Sequence, residues 1–304
     1  MGSRFLVPPE ESLNIAQDKA QTLAVAEGLN LPCPRTWRPE NAQQFADLAT
    51  QLAASKDLNF VVKPRSGCGS AGVVYGNETG PAAQSQFWRQ LLPQYWIEHW
   101  DRFGPMLVQE RIPAEGRGQG VSLLFDSRAE CIAAFAHERI EQYPNSGGPS
   151  TDRMSIHAQE ITEWSIALLK KLKWKGIGMV EWKLDPRDGT PRLMEINPRF
   201  WGSLELAVRA GIDFPALYAR AAAEEKLEPR VQYPAGVRCR WMIPGELLRY
   251  VSQSRGKRES LVRFVRGLPA SAEEWDLRDL RGFFAVVLCT AAYAFNPKYW
   301  KYLR

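Results

Sequence analysis

The sequence lacks the features that define several common classes of protein. Its five cysteines stand singly, with no Cys-x-x-Cys pair, so neither a disulfide framework nor a zinc cage is indicated. The N-terminus has no apolar core of a signal peptide, and internal repeats and low-complexity tracts are absent. With 304 residues, 45% hydrophobic and 24% charged, the chain is predicted to be globular, large enough for two domains, and cytoplasmic.

Long hydrophobic runs are also scarce. The one candidate for a membrane element is residues 283–295, FFAVVLCTAAYAF, which is shorter than the roughly 20 residues needed to cross a bilayer. We expect a buried C-terminal helix in this segment. An interfacial helix beside basic residues is the alternative.

Positive charge is concentrated near the C-terminus. Residues 238–304 contain 13 Lys or Arg against 6 Asp or Glu, whereas the whole chain carries a net charge of only +5. A solvated basic surface is the commoner interpretation of such a segment, and peripheral contact with a membrane surface or a polyanion is the alternative. Nucleic acid is not an expected partner, because no stripe of interleaved aromatic and basic residues stands out.

The stretch IGMVEWKLD-PRDGT-PRLMEINP predicts a β-hairpin with an Asp-Gly turn. The turn places Glu181 opposite Glu195, and strand alternation puts Asn197 on the same face. Two carboxylates paired across strands repel each other, and a cation would resolve that conflict. Three oxygen ligands with room for water and phosphate suit Mg²⁺. The alternative is an exposed face on which the glutamates form ordinary ion pairs with Lys183 and Arg199.

A glycine-rich loop lies between two predicted strands in VVKPRSGCGSAGV, residues 61–73. Gly67, Gly69 and Gly72 would let backbone amides approach an anion, and Lys63 at the mouth of the loop adds a positive charge. The spacing matches neither the P-loop nor the dinucleotide fingerprint. Plain turn chemistry is therefore the alternative to phosphate binding.

The segment MLVQERIPAEG, residues 106–116, places polar side chains at the end of an apolar strand. Gln109, Glu110 and Arg111 stand at that end. Backbone groups in such a connection can bind the edge of an adenine, and a following acid such as Glu115 can accept ribose hydroxyls. Taken alone, this pattern is a weak indication.

In their order and spacing, these segments resemble the ATP-grasp superfamily over residues 14–240. The resemblance is closest to predicted ATP-dependent carboligases related to carbamoyl-phosphate synthase, whose final motif reads Glu-x-Asn-Pro-Arg-Phe-Trp-Gly-Ser. It implies an α+β, ATP-grasp fold in which two α+β subdomains grip ATP, followed here by a basic helical C-terminal extension. The resemblance rests on DKAQTLAVAEGLNLPCPRT, VVKPRSGCGSAGV, LVQERIPAEG, GMVEWKL and LMEINPRFWGSLELAVRAGIDFP.

The resemblance also implies which residues bind the nucleotide. Mg²⁺ ions bridging the phosphates, with Mn²⁺ as an alternative ion, would be held by Glu181, Glu195 and Asn197. Contacts with the ATP phosphates would come from Lys19 and Lys63. The flexible lid loop would include Ser66, Gly67, Gly69, Ser70 and Gly72. The adenosine pocket would be lined by Gln109, Glu110, Ile112 and Glu115.

On the acceptor side, the resemblance implies two catalytic arginines. Arg199 would steady an acyl phosphate, and Arg139, with the loop at residues 147–148, would hold the substrate carboxylate. A lone histidine nearby, His137, is interpreted as structural rather than catalytic.

We therefore predict a Mg-ATP-dependent, ADP-forming carboxylate–amine ligase acting on small molecules. The predicted segments are 1–48, a linker and helices; 49–112, the small lid subdomain; 113–237, the large subdomain with the metal site; and 238–304, the basic extension. Such enzymes usually carry a further domain of roughly one hundred residues before the helix that starts at Lys19. Only 17 residues precede Asp18 here, so we expect that domain to be absent, truncated or supplied by another chain or a homo-oligomer. A catalytically incomplete ATP-binding module or partial subunit is the alternative function.

Overall fold

The computed structural model describes residues 5–55, 59–67, 72–75, 86–144, 148–252, 272–275 and 279–295. Within these ranges the chain forms two antiparallel sheets with helices packed against them, an α+β mixture as predicted. The helices are α1 (Glu10–Gln17), α2 (Lys19–Gly28), α3 (Ala42–Ser55), α4 (Gln86–Phe103), α5 (Gln159–Lys171), α6 (Leu204–Arg209), α7 (Phe214–Ala222), α8 (Leu247–Ser252) and α9 (Leu280–Phe295). The strands are β1 (Thr36–Trp37), β2 (Phe60–Pro64), β3 (Val74–Tyr75), β4 (Met106–Glu110), β5 (Gly118–Phe125), β6 (Cys131–Gln142), β7 (Ser150–Ser155), β8 (Gly176–Leu184), β9 (Pro191–Asn197) and β10 (Arg238–Arg240).

The smaller sheet has four strands in the order β1-β4-β2-β3 and packs against α3 and α4. Helix α3 begins where the Asn41 side chain accepts a hydrogen bond from the backbone N–H of Gln44 (2.9 Å), which satisfies one unpaired amide of the first turn. The ring of Phe45 stacks on that of Trp96, with centroids 4.3 Å apart, and both side chains are buried. This apolar layer holds β2 and β4 side by side.

The larger sheet has six strands in the order β10-β7-β6-β5-β8-β9 and is covered on both faces. Alternate residues of β6 enter different cores, because successive side chains of a strand point to opposite faces. Ala134 and Ala136 join α1, α2 and α5, whereas Ala133 and Phe135 join α6 and α7. The sheet is therefore packed on both faces, and its polar positions lie among buried strands.

The predicted hairpin is confirmed as β8 and β9. Glu181 pairs with Glu195 and Met179 pairs with Asn197, as the turn position required. At the turn, the carboxylate of Asp185 accepts hydrogen bonds from the side chain and backbone of Arg187, and these bonds hold its pKa well below the ordinary value. The turn therefore fixes the register of the nearest pairs, up to Trp182 and Leu193. Beyond them β9 has one extra residue, Met194, and this bulge brings Glu195 opposite Glu181.

Several elements of the structure were not given by the sequence predictions. Strand β7, which begins at Ser150 and pairs with β6 and β10, is not among the predicted strands. Helix α1 precedes the helix that begins at Lys19 and is not indicated by the motifs. Position 48, the expected end of the first segment, lies inside α3, and β10 extends the larger sheet.

The prediction of a buried C-terminal helix is wrong. Helix α9 forms, but Phe284 is 59% exposed and Leu288 is 69% exposed. No described side chain of this helix is fully buried. Apolar composition predicts burial only when another surface of the chain is available to cover the helix. In the part of the chain that the structure describes, no helix is long and apolar enough to cross a membrane.

The basic C-terminal part is attached to the larger sheet by a buried ion cluster. The carboxylate of Glu246 is fully buried and accepts hydrogen bonds from Arg240 (2.6 Å) and Arg249 (2.7 and 2.9 Å). Burial alone would raise the pKa of Glu246, but the bonds from Arg249 and Arg240 outweigh it and lower the pKa to about 2. The cluster joins β10 to α8.

We expect Glu246→Gln to destabilise the protein by about 3 kcal/mol, because two arginines would lose their buried counter-charge. The folded-state pKa lies below the ordinary value of 4.5, so this stabilisation is full above pH 4.5 and is lost as the pH falls toward 2. Denaturant melts measured across that range check both points. As a control, Glu225→Gln removes a half-exposed pair with Arg220 and should cost less than about 0.5 kcal/mol. Equal melts for the two variants would contradict the role of the buried cluster.

Candidate functional site

A cavity of about 1000 Å³ lies between the two sheets. The smaller sheet contributes residues of β2, β3 and β4, and the larger sheet contributes residues of β5, β6, β8 and β9. The cavity is lined by seven of the residues that the sequence singled out: the lysines Lys19 and Lys63, the predicted metal ligands Glu181, Glu195 and Asn197, and the arginines Arg139 and Arg199. The sequence-predicted groups, which are scattered from residue 19 to residue 199, therefore share one site.

The two hairpin glutamates face the cavity together with Asn197. The amide nitrogen of Asn197 donates to Glu181 (3.0 Å), and Arg139 forms an ion pair with the same carboxylate (2.6 Å). Glu195 pairs with the ammonium of Lys19 at 3.2 Å. Burial and repulsion from Glu195 raise the pKa of Glu181, although Arg139 opposes them. The carboxylates are thus compensated by cations that border the cavity.

The chemistry of this donor set fits Mg²⁺. Two carboxylates and one amide oxygen are hard ligands, and they leave positions open for water and phosphate oxygens. In the described ranges there is no group of three or more His, Cys, Asp or Glu residues that could enclose a metal ion. Glu181, Glu195 and Asn197 would therefore hold an ion that the phosphates help to bind.

Lys63 and Lys19 place two positive charges beside the carboxylates. Lys63 lies in β2 with its side chain buried, and burial lowers its pKa to about 8, with Lys19 repelling and Glu195 attracting the charge. The ammonium of Lys19 also donates to the backbone carbonyl of Gly67 (3.1 Å). Such ammonium groups can bind polyphosphate oxygens.

The start of α2 is attached to the glycine-rich loop. Asp18 caps the helix by accepting from the backbone N–H of Ala20 (2.9 Å), and its carboxylate also pairs with Arg65 (2.5 Å). The backbone N–H of Lys19 donates to the carbonyl of Arg65 (2.8 Å). These bonds position Lys19 at the mouth of the cavity.

The predicted lid residues are only partly described. Ser66 and Gly67 line the cavity, whereas Gly69 and Ser70 lie outside the described residues. Gly72 has a φ of 74° and packs so closely that a Cβ would meet Phe103 and Pro64 at 2.9 Å. Glycine is required there by both conformation and space.

The four predicted adenosine residues all line the cavity. Gln109 is buried in β4 and donates to the hydroxyl of Thr36 (2.9 Å), while Glu110 pairs with Arg187 (2.5 Å). Ile112 is buried, and Glu115 is exposed at the rim. Together they form the wall of the cavity on the side of the smaller sheet.

The acceptor-side residues occupy the other side. The side chain of Arg139 lies over Gly118, so close that a Cβ added to Gly118 would be 3.1 Å from it. Arg199 is exposed at the rim of the cavity. Of the loop at 147–148, Gly148 lines the cavity and residue 147 lies outside the described residues. His137 is buried with its Nε2 3.2 Å from the hydroxyl of Ser203, and burial lowers its pKa to about 3. The imidazole is therefore neutral near pH 7.

Lys183 is the functional candidate that sequence reasoning missed. It had been considered only as an ion-pair partner on an exposed face. It lines the cavity, and its ammonium donates to the carbonyl of Ile112 (3.2 Å). Burial and the nearby Arg111 lower its pKa. The available signal was strand alternation, because Lys183 stands two residues after Glu181 and shares its face.

This arrangement defines a known fold. The biotin carboxylase domain of Hydrogenobacter thermophilus 2-oxoglutarate carboxylase, solved with MgADP, ADP and bicarbonate, matches with a TM-score of 0.59 and 16% identity over 74% of this chain and 49% of that chain. Biotin carboxylase from Campylobacter jejuni, solved as a β-γ-ATP complex, matches with a TM-score of 0.59 and 18% identity, over 74% of this chain and 50% of that chain. Rhizobium etli pyruvate carboxylase matches with a TM-score of 0.53 and 16% identity, over 72% of this chain and 19% of that chain. At these identities the likeness shows the fold alone.

A family match makes the assignment more specific. Residues 103–243 match the family described as ATP-grasp in the biosynthetic pathway with Ter operon. The chain therefore has an ATP-grasp fold, and its residues 103–243 are similar to that family. It spans about half the length of the two biotin carboxylases it matches. No curated protein matches the chain.

Proposed function

We propose that the protein is a Mg-ATP-dependent ligase that activates a carboxylate as an acyl phosphate for attack by an amine. The observation that carries this proposal is the cavity in which Glu181, Glu195 and Asn197 face Lys19 and Lys63. Such a set can neutralise the charge of a transferring phosphoryl group, which is the main requirement of this chemistry. Mg²⁺, or Mn²⁺ as the alternative ion, would shield the phosphate oxygens when bound.

In the proposed reaction, the substrate carboxylate attacks the γ-phosphorus of ATP and ADP leaves. The amine nitrogen then attacks the acyl carbon, phosphate leaves with the C–O bonding electrons, and the nitrogen loses its proton. Lys63 and Lys19 would hold the polyphosphate, and Arg139 would orient the carboxylate. Arg199 at the rim would steady the acyl phosphate. Positioning and charge provide most of the rate enhancement in such a mechanism.

The proposal is tested by incubating the protein with Mg-ATP and pools of carboxylates and amines, and by measuring ADP and new condensation masses together. We expect ADP formation that requires one carboxylate pool and one amine pool, with a product mass equal to their sum less water. ADP without a condensed product would contradict the amine step. If neither signal appears while ATP binds, the protein is an ATP-binding module rather than a ligase.

A further inference from the structure

Helix α9 presents an apolar surface to solvent. Its exposed residues recur at intervals of one, three and four, and therefore form one continuous stripe along the helix. We call this the α9 stripe; its members are Leu280, Arg281, Phe284, Ala285, Leu288, Cys289 and Ala292. Arg281 is the only charged residue in the 16 residues of the helix. The exposed side of this helix is thus apolar, whereas a surface helix usually presents polar residues to solvent.

The opposite side of α9 is attached to the rest of the chain. The described residues between those of the stripe, such as Phe283 and Val287, are half-buried. The ring of Phe283 packs edge-on against Trp275, with centroids 5.1 Å apart, and α9 contacts the turn Met242–Glu246. The α9 stripe therefore faces outward because the helix is already held on its other side.

The length and surroundings of α9 point to an occupant. A helix of 16 residues is roughly 24 Å long, shorter than the roughly 30 Å hydrocarbon core of a bilayer. In the sequence, the nine residues after it, NPKYWKYLR, include two lysines, an arginine, two tyrosines and a tryptophan, residue types that are enriched at membrane interfaces. Residues 238–304 carry 13 Lys or Arg against 6 Asp or Glu.

We propose that the α9 stripe docks on an anionic lipid bilayer, with the helix lying in the plane of the interface. The apolar side chains would enter the boundary between headgroups and acyl chains. Arg281 of the stripe and the basic residues that follow α9 in the sequence would contact anionic headgroups. A second copy of the chain fits less well, because pairing the stripes would bring two strongly basic segments together. The ligase site is not required for this contact.

The test is co-sedimentation of the full chain with vesicles of phosphatidylcholine alone and of phosphatidylcholine mixed equally with phosphatidylglycerol. The test variant is the double substitution Phe284→Glu and Leu288→Glu. The matched control is the double substitution Val7→Glu and Val231→Glu, which changes the net charge equally at two other exposed positions. All four side chains are more than half exposed, so both variants should melt like the wild type.

We expect the wild type and the control to bind the mixed vesicles, and the test variant to lose at least about tenfold in partition coefficient. Binding should weaken in high salt and on phosphatidylcholine alone. Failure of the wild type to bind, or equal binding by the test variant, would overturn the proposal. The proposal would also be overturned if the protein bound heparin as strongly as vesicles and the double substitution left heparin binding unchanged. Charge alone would then account for the binding to vesicles. A dimer lost in the test variant, without vesicle binding, would assign the stripe to a second copy instead.

Discussion

Replacement of Glu195 by alanine is expected to reduce Mg-dependent ADP formation to background, a loss of at least about a hundredfold. Glu195 faces Glu181 across the β8–β9 hairpin, and in the proposed function these two carboxylates and Asn197 would be the oxygen ligands of a divalent ion. Without one carboxylate, the phosphates of ATP would lose both a metal ligand and their fixed position. The measurement is ADP release in the substrate pools that support turnover of the wild type.

The fold of the Glu195→Ala variant should be intact. The substitution removes the ion pair of Glu195 with Lys19, a partly exposed pair that contributes little, and it also removes the repulsion between Glu195 and Glu181. These effects oppose each other, so the thermal midpoint should stay close to that of the wild type. Glu228→Ala, which removes an exposed acid outside the cavity lining, is the control for activity. Unchanged ADP release from a folded Glu195→Ala protein would refute the metal-site assignment.

Replacement of Lys63 by methionine is expected to weaken ATP binding by about ten- to a hundredfold, measured by titration calorimetry. The ammonium of Lys63 is buried in β2 at the cavity wall, where it would meet polyphosphate oxygens with little screening by solvent. Methionine keeps the length of the side chain and removes only the charge. Lys170→Met, at an exposed lysine that pairs with Glu130 outside the cavity, should bind ATP like the wild type.

The affinity for ATP should also depend on pH through Lys63. Burial lowers the pKa of this lysine to about 8, and a bound polyphosphate favours its charged form. Binding therefore takes up a proton, and affinity should fall about tenfold between one unit below that pKa and one unit above it. Lys63→Met should flatten this dependence. A wild-type affinity that stays constant or rises across the same range would contradict the assignment.

The parts of the site that could be predicted from sequence are those fixed by local structure. The pairing of β8 with β9 was predicted from an Asp-Gly turn only a few residues away, and Asp185 holds that turn by local hydrogen bonds. The pairing of Glu181 with Glu195 also depends on a bulge at Met194, which the sequence did not indicate. Strand β7 was missed because its sequence, STDRMS, is polar, and its buried charges are compensated by residues distant in sequence. Asp152, for example, pairs with Arg238 of β10.

Lys183 and α9 show two further limits. The sequence placed Lys183 on the correct face of β8. Only the tertiary fold shows that Ile112, which follows β4, covers this face and accepts a hydrogen bond from Lys183. For α9, composition indicated a helix and suggested burial, yet burial depends on which surface the tertiary fold brings to it. Local sequence patterns decide the secondary structure and the face of a strand or helix on which a side chain lies. Contacts between segments distant in sequence decide which side chains share a cavity.

The central claim, that a carboxylate is activated as an acyl phosphate, is tested most directly with oxygen isotopes. The carboxylate that supports condensation would be supplied with both oxygens labelled as ¹⁸O, and the released phosphate analysed by mass spectrometry. We predict that one labelled oxygen is transferred to phosphate in each turnover, with ADP as the nucleotide product. Label retained entirely in the condensed product and unreacted acid, or release of AMP and pyrophosphate, would contradict the account.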